Sequence, residues 1–206
     1  MEGQMTEVGI NLPKTARGEK TLEKIFNSAE KLFEEKGYHE TSISEIALNA
    51  GIAMGTLYIY FKDKTSLYIY ILKRYSHEIR KTSALAAQQY QTRYEQEFYG
   101  FKAFLQYIFN HPGAYQIIFE SQYVSPVHFK EYYEDFSARY IKWLKAAQDE
   151  GEVIACDLVS ASYILMGVYT FVGLKKRVFD KQTIVTDQDV ENVMHIVKNG
   201  LFIKKD

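Results

Sequence analysis

The chain has 206 residues and a formal net charge of −1, with 25 Lys and Arg residues against 26 Asp and Glu. This near-neutral charge argues against a polycation that coats nucleic acid, and the 47% hydrophobic content excludes a disordered chain. The single cysteine, Cys156, cannot form an internal disulfide, so nothing in the chain requires an oxidising compartment. The first residues carry acids and lack the apolar segment of a secretory signal, and we therefore expect a cytoplasmic protein.

Apolar residues recur at helical spacing along nearly the whole chain, and no segment shows the alternation typical of a strand. Gly37 follows an apolar stripe that begins at Leu22, and Pro112 follows another that begins at Phe98, as expected of residues that end helices. The pattern predicts an all-α fold with helices over residues 20–36, 43–50, 54–61, 65–90, 95–110, 114–120, 128–149, 157–178 and 188–203.

Residues 41–64 show the pattern of a helix-turn-helix, with the sequence TSISEIALNAGIAMGTLYIYFKDK. Ser42 and Glu45 form a capping-box pattern at the start of the first helix, and Gly51 permits the sharp turn before the second. Ile46 and Leu57 are expected to hold the two helices together. The second helix of such a motif enters the major groove of DNA, so the pattern predicts a DNA-binding unit.

The run T-S-I-S-E-I-A-x-x-A-G-I-x-x-G-T-L-Y-x-Y-F-K-D-K resembles the DNA-binding signature of TetR-family transcriptional regulators, and the resemblance covers about residues 20–75. It implies an N-terminal three-helix DNA-binding domain at residues 1–66. It also implies a larger helical domain at residues 67–206 for effector binding and dimerisation. Together with the motif itself, it predicts these DNA contacts: Thr41, Ser42, Gly55, Thr56, Tyr58, Tyr60, Lys62 and Lys64.

The second helix of the motif departs from the family pattern at two positions. Ala53 lacks the N-capping hydroxyl that is common there, and Ile59 stands where a polar or aromatic residue is common. Tyr58 and Tyr60 are expected to face the DNA, because other residues already fill the apolar face of the helix. Ile59 indicates that base readout involves apolar contact, for example with thymine methyl groups.

Basic and acidic residues are nearly equal in number in the predicted DNA-binding region. A basic surface can therefore form only if the basic residues lie together on one face. Residues 1–66 contain 8 Lys and Arg against 10 Asp and Glu, yet Lys14 and Arg17 precede the first helix and Lys73 and Arg74 follow the motif. We expect a focused basic surface formed by the N-terminal arm and by residues 62–74. A solvated face of mixed charge is the alternative.

The few phosphate contacts of one subunit give a modest DNA affinity, and binding of two subunits to two half-sites would raise it, so we expect a dimer. Two helices near the C-terminal end are the candidates for its interface. The uncharged run at residues 158–174 is short for a membrane span and contains several hydroxyl side chains, so we expect no membrane insertion. A four-helix interface in a homodimer is predicted instead. Its predicted residues are Leu165, Val168, Tyr169, Val172, Val190, Val193, Met194 and Val197.

Aromatic residues are concentrated in the second part of the chain. The segment from residue 67 onward holds 14 of the 17 Tyr and 10 of the 13 Phe. Apolar pockets with a few polar anchors bind small molecules, and this composition predicts a hydrophobic or aromatic effector. Packing in the core is the alternative for each of these residues. The predicted ligand-binding residues are Phe101, Phe104, Tyr107, Tyr115, Phe119, Tyr123, Tyr133, Phe136, Tyr140 and Trp143.

The five histidines show no metal-binding spacing and no glycine-rich phosphate loop is present, so we expect neither an enzyme nor a cofactor or metal. The sequence and the family resemblance predict a regulator, most simply a repressor. It would bind a palindromic double-stranded DNA operator and be released by the effector. The alternatives are a DNA-binding regulator without an effector and a small membrane-associated all-α protein.

Overall fold

The computed structural model of the protein describes residues 8–200, and within this range the fold is all-α, as predicted. Extended pairing in the described range is limited to an isolated β-bridge between Ile10 and Phe61. A π-helical turn, Lys175–Phe179, extends α8. The helices are α1 (Ala16–Glu40), α2 (Ile43–Asn49), α3 (Met54–Tyr60), α4 (Lys64–Ala87), α5 (Arg93–Asn110), α6 (Ala114–Val124), α7 (Pro126–Asp149), α8 (Leu158–Leu174) and α9 (Asp187–Asn199).

Local sequence signals account for most helix ends. Gly37 interrupts α1 near its end with a positive φ of 77°, a conformation that favours glycine. The last helix, predicted to reach residue 203, ends at Asn199 before Gly200, and residues 201–203 lie outside the described range. Hydroxyl and carboxylate side chains accept a backbone N–H at six N-caps: Thr15, Ser42, Asp63, Thr92, Asp157 and Thr186.

The chain forms two compact units. The first contains the residues up to Ser76 together with Gly113–Tyr133, and the second contains His77–Pro112 together with the residues from Glu134 onward. Helices α4 and α7 each contribute residues to both units. The functional boundary expected between residues 66 and 67 stays a prediction.

In the first unit, α6 packs against α1 and the aromatic residues of α1 and α4 form the core. The rings of Phe33 and Tyr68, both fully buried, meet edge to face with centroids 5.1 Å apart. The Tyr68 hydroxyl donates to the Ile117 carbonyl of α6 at 2.6 Å. Both carboxylate oxygens of Glu120 accept the backbone N–H of Tyr38 at 3.0 Å, so α6 is fastened to the C-terminal end of α1.

In the second unit, α5, α8 and α9 share a core that encloses a buried polar cluster. The Phe101 and Tyr169 rings stack with centroids 4.1 Å apart. The buried Glu97 carboxylate accepts the hydroxyls of Tyr140 (2.6 Å) and Tyr169 (3.1 Å) and pairs with Arg93. Burial lowers the pKa of Arg93 and raises the pKa of Tyr140 to about 12. These contacts join α5 to α7 and α8.

Candidate nucleic-acid interface

Helices α2 and α3 form the predicted helix-turn-helix, and local hydrogen bonds fix its geometry. The Glu45 backbone N–H donates to the Ser42 hydroxyl (3.2 Å), and the Ser42 backbone N–H donates to the Glu45 carboxylate (3.0 Å). This is a complete capping box. Gly51 has a positive φ of 66° in the turn, and the side chains of Ile46 and Leu57 are fully buried. The predicted roles of these residues in building the motif are confirmed.

Helix α1 supports the motif through polar contacts with α2. The Glu45 carboxylate pairs with Lys36 at 2.7 Å, and the Ser28 hydroxyl donates to the Ile46 carbonyl at 2.8 Å. The hydrogen bond from Lys36, with those from Ser42, lowers the pKa of Glu45 to about 2. The start of α2 is therefore held in a fixed position against α1.

Helix α3 presents a continuous outer face without charge. Met54, Tyr58 and Ile59 are 51%, 48% and 66% exposed, and Gly55 has open space where a Cβ would lie. At about 100° per residue these four positions span an arc of about 140°. Ala53 makes no side-chain hydrogen bond at the N-cap, as expected from its lack of a hydroxyl. The outer face is therefore made of apolar and aromatic side chains around a glycine.

Two predicted DNA contacts have side chains that are turned into the protein. Tyr60 is 8% exposed and its hydroxyl donates to the Gly18 carbonyl at 3.3 Å, so the expectation that it points outward is wrong. It lies three residues after Leu57 and shares the buried side of α3. The Thr41 side chain is 1% exposed, and its hydroxyl donates to the carbonyls of Leu32 (3.1 Å) and Gly37 (2.8 Å). Both hydroxyls stabilise the fold.

The ammonium group of Lys64, expected to contact a phosphate, binds the C-terminal end of α1 instead. It donates to the carbonyls of Tyr38 (2.7 Å), His39 (3.3 Å) and Thr41 (2.8 Å). It also lies 4.3 Å from the centre of the Tyr38 ring. All three N–H donors of the lysine are used in this way, whereas Lys62 remains exposed at the end of α3. Of the two lysines, Lys62 is the exposed one, and its contact with DNA stays a prediction.

The N-terminal arm pairs with the end of α3, a feature that the sequence analysis missed. The Asn11 backbone N–H donates to the Tyr60 carbonyl (2.8 Å), and the Lys62 backbone N–H donates to the Gly9 carbonyl (2.9 Å). The Asn11 side chain donates to the Ile59 carbonyl at 3.2 Å. Gly9 has φ 78°, and a Cβ there would lie 2.7 Å from Lys62 Cβ, so this close approach requires glycine.

The predicted basic surface is smaller than expected in one of its two parts. Within residues 62–74, Lys64 binds the end of α1, and Arg74 forms two hydrogen bonds with the Glu23 carboxylate at 2.6 and 3.0 Å. These two charges are not available to DNA, whereas Lys62 of the same segment remains exposed. Near the start of α1, four exposed cations form no ion pair with another described residue: Lys14, Arg17, Lys20 and Lys24.

The ten predicted ligand-binding residues are divided between the two units. Tyr115, Phe119, Tyr123 and Tyr133 belong to the first unit, and the other six belong to the second. Their exposures differ widely: Tyr115 is 3% exposed and Tyr123 is 77% exposed in the first unit. Burial raises the pKa of Tyr133 to about 12. Tyr123 is therefore a surface residue, and Tyr115 and Tyr133 are largely enclosed.

The six residues of the second unit also differ in environment. Phe101 is stacked on Tyr169 in the core and the Tyr140 hydroxyl is bound to Glu97, whereas Trp143 is 44% exposed. Phe104, Tyr107 and Phe136 are half-buried. A surface groove of about 460 Å³ in this unit contains none of the ten. It is lined by Tyr94, Gln188, Glu191, Asn192, His195, Lys198 and Asn199. The role of the ten aromatic residues in ligand binding stays a prediction.

The eight residues predicted for the dimer interface lie on the inner faces of α8 and α9. Tyr169, Val190 and Met194 are buried in the core of the second unit, and the other five pack against them. The opposite face of α8 exposes Val159, Tyr163, Ile164 and Phe171, at 52%, 44%, 64% and 64%. Ile196 of α9 is 51% exposed. Tyr169, Val190 and Met194 are therefore enclosed within the subunit, and the role of the other five residues in a dimer stays a prediction.

Helix α8 with its π-helical extension, Leu158–Phe179, is long and apolar enough to cross a membrane by length and composition. The core helices of soluble proteins meet the same criterion. Here one side of the helix carries the Tyr169 hydroxyl, which is bonded to Glu97 inside the second unit. That packing explains the apolar residues on one side of α8, whereas Ile164 and Phe171 lie on its exposed face.

The helix-turn-helix region has known relatives. Residues 25–71 match the family model of bacterial regulatory proteins of the tetR family. An HTH-type transcriptional regulator of Staphylococcus aureus strain USA300 is 46% identical over 52 residues. That stretch is 25% of this chain and 28% of the relative, as it is for the homologous regulator of strain bovine RF122. The chain thus matches less than a third of the length of these curated relatives.

The fold extends the likeness over most of the chain. The fatty acid degradation regulator FadR from Bacillus halodurans has a TM-score of 0.80 at 18% identity, with 92% of this chain and 98% of that chain covered. FadR from Bacillus subtilis, solved in complex with stearoyl-CoA, has a TM-score of 0.75 at 19% identity, with 87% and 99% covered. The tetR family model thus matches residues 25–71, and over most of its length the chain shares the fold of these two regulators.

Proposed function

We propose that this protein is a transcriptional regulator that binds double-stranded DNA through α3. The observation that carries the proposal is the outer face of α3, where Met54, Gly55, Tyr58 and Ile59 are presented on a helix anchored by the buried Leu57. The major groove is wide enough to admit such a helix. Lys62, exposed at the end of α3, would position the helix by binding a phosphate.

DNA binding is assigned to residues 1–66, and effector binding and dimerisation to residues 67–206. Two subunits would meet through the exposed face of α8, which includes Ile164 and Phe171, with Ile196 of α9. A homodimer matches a palindromic operator, because its two recognition helices enter successive major grooves about 34 Å apart. A regulator that acts on DNA, without a membrane partner, would work in the cytoplasm.

The proposed effector is a hydrophobic or aromatic small molecule that releases the protein from its operator, which makes the protein a repressor. The concentration of Tyr and Phe after residue 67 supports an apolar binding site. A protein of the same fold, FadR from Bacillus subtilis, is solved in complex with stearoyl-CoA. Acyl-CoA thioesters are therefore the first compounds to test, followed by free fatty acids and aromatic compounds.

The test of DNA binding is the selection of bound fragments from genomic and random DNA, followed by footprinting. We expect one palindromic site with protection on both halves, and an affinity that falls steeply with salt. Failure to enrich any site over non-specific DNA would contradict the proposal. Phe171→Glu places a charge on the proposed dimer face and should prevent dimerisation. This variant should therefore bind the full palindromic site no more tightly than a single half-site.

The effector is tested by titrating the operator complex with the ligand panel. A ligand that lowers operator affinity must be bound more weakly by the operator complex, by the same factor, because the coupling is reciprocal. If operator affinity is unchanged by every compound that raises the melting temperature, the effector proposal is wrong. The protein would then be a regulator without a small-molecule effector.

A further inference from the structure

The outer face of α3 lacks the side chains that form bidentate hydrogen bonds with base edges. Arg and Lys read guanine, Asn and Gln read adenine, and Asp and Glu accept from cytosine. Between Ile46 and Phe61 these residue types are represented by Asn49 alone, and Asn49 is the last residue of α2. Helix α3 itself contains none of them. Its hydroxyls, on Thr56 and Tyr58, can make single hydrogen bonds, so a helix with this composition enters the major groove without any bidentate base contact.

Apolar side chains occupy the positions where such contacts would be made. Met54 and Ile59 lie at the two edges of the exposed arc, at 51% and 66% exposure, with Gly55 and Tyr58 between them. The structure gives no reason for glycine at residue 55, because a Cβ there would meet no atom within 4 Å. A missing side chain at the centre of this face lets the helix approach the DNA closely.

We propose that α3 reads its half-site through the C5-methyl groups of thymine, with Ile59 and Met54 as the specificity-determining residues. Among the four bases, thymine is the one that presents an apolar group, its C5-methyl, in the major groove. The half-sites would therefore contain A·T pairs at the positions that face Ile59 and Met54. This inference rests on the proposed DNA-binding function and adds the chemical class of base that is recognised.

The test replaces each thymine of the selected operator, one at a time, with deoxyuridine, which lacks only the methyl group. At a contacted thymine we expect the dissociation constant to rise about fourfold, as for one methyl group removed from an apolar contact. Thymines outside the contacted positions should tolerate the replacement. Retention of full affinity at every thymine of both half-sites would overturn the inference.

Variants of α3 identify the side chains that make the contacts. In Ile59→Ala and in Met54→Ala, the ratio of thymine to uracil affinity at one position should approach one. Ile59→Val, which removes a single methylene, should retain part of the ratio. The control is Val127→Ala, an equally exposed apolar residue of α7 at 65%, which should keep the full ratio. Because each ratio compares two DNAs with one protein, a change in protein stability does not alter it.

The outcomes separate this inference from the proposed function. If no DNA site is selected at all, the DNA-binding proposal fails. If a site is selected and bound but uracil replacement has no effect, DNA binding stands and thymine readout is wrong. If the thymine preference persists unchanged in both alanine variants, the assignment to Ile59 and Met54 is wrong.

Discussion

The ammonium group of Lys64, at the start of α4, lies 2.8 Å from the carbonyl oxygen of Thr41, at the C-terminal end of α1. The carbonyls of Tyr38 and His39 accept hydrogen bonds from the same group. The last carbonyls of a helix have no partner within it, and a cation there also interacts favourably with the helix dipole. One side chain therefore closes α1 and fixes the backbone immediately before the helix-turn-helix.

Replacement of Lys64 by Met should destabilise the protein, because it keeps the aliphatic stem and removes the hydrogen bonds. We expect the free energy of unfolding to fall by about 2 kcal/mol, in the range for hydrogen bonds to a charged group. Urea denaturation followed by circular dichroism measures the change. If stability is unaltered and the salt dependence of operator binding weakens instead, Lys64 binds a phosphate and the structural role is wrong.

Replacement of Lys62 by Met should weaken operator binding and leave the stability of the protein nearly unchanged. Its side chain is exposed and forms no ion pair with another described residue, so we expect stability to change by less than about 0.5 kcal/mol. The slope of log affinity against log salt should become shallower by about 1 for each phosphate that the protein no longer neutralises. Operator titrations over a salt series give this slope, and an unchanged slope would remove Lys62 from the interface.

Gly55→Ala should separate stability from DNA binding. Alanine in a helix is more favourable than glycine by about 1 kcal/mol, and the added Cβ meets no atom of the protein. We therefore expect a higher melting temperature together with weaker operator binding. Gly100→Ala in α5 is the matched control, since a Cβ there lies no closer than 3.7 Å to other atoms. It should leave operator affinity unchanged; equal affinity in both variants would argue against close approach at Gly55.

Phe171→Glu should dissociate the proposed dimer. The side chain is 64% exposed on the outer face of α8, and a carboxylate there would be buried without a partner when two subunits associate. Sedimentation velocity should show a monomer, with operator affinity reduced accordingly. Val127→Glu has a nearly identical exposure of 65% on α7 and should remain dimeric. A dimer that persists in Phe171→Glu would place the interface elsewhere.

The capping box of α2 should contribute to acid sensitivity. Folding lowers the pKa of Glu45 from its ordinary value of 4.5 to about 2. A lowered folded pKa stabilises the protein fully above about pH 4.5, and this stabilisation is lost as pH falls towards 2. Glu45→Gln keeps the capping geometry but does not titrate. Melting temperatures of the two proteins should differ near neutrality and converge towards pH 2; a constant difference would contradict the assignment.

Local features of the motif could be predicted from the sequence because their causes lie within a few residues. The capping box joins Ser42 and Glu45, three positions apart, and the turn needs only the positive φ of Gly51. The buried positions Ile46 and Leu57 follow from helical spacing. These same local signals account for the helix ends and for the all-α fold class.

Long-range partners decided the corrections to the candidate site. Tyr60 is turned inward by the carbonyl of Gly18, 42 residues away, and Lys64 by that of Tyr38, 26 residues away. The backbone pairing of Asn11 with Tyr60 also joins residues that are distant in sequence. A tyrosine or lysine at these positions suits either DNA or a backbone carbonyl. The choice depends on which group the tertiary fold brings within reach.

The sequence by itself determined the resemblance of residues 25–71 to TetR-family regulators, the helix-turn-helix and the apolar character of the last helices. It did not determine the outer face of α8, because a helix that is apolar on every side has no periodic signal to mark its core. Only the tertiary structure turned Tyr169 towards Glu97 and left Ile164 and Phe171 outside. The buried hydroxyl needs a hydrogen-bond partner, and that partner exists on one side of the helix alone.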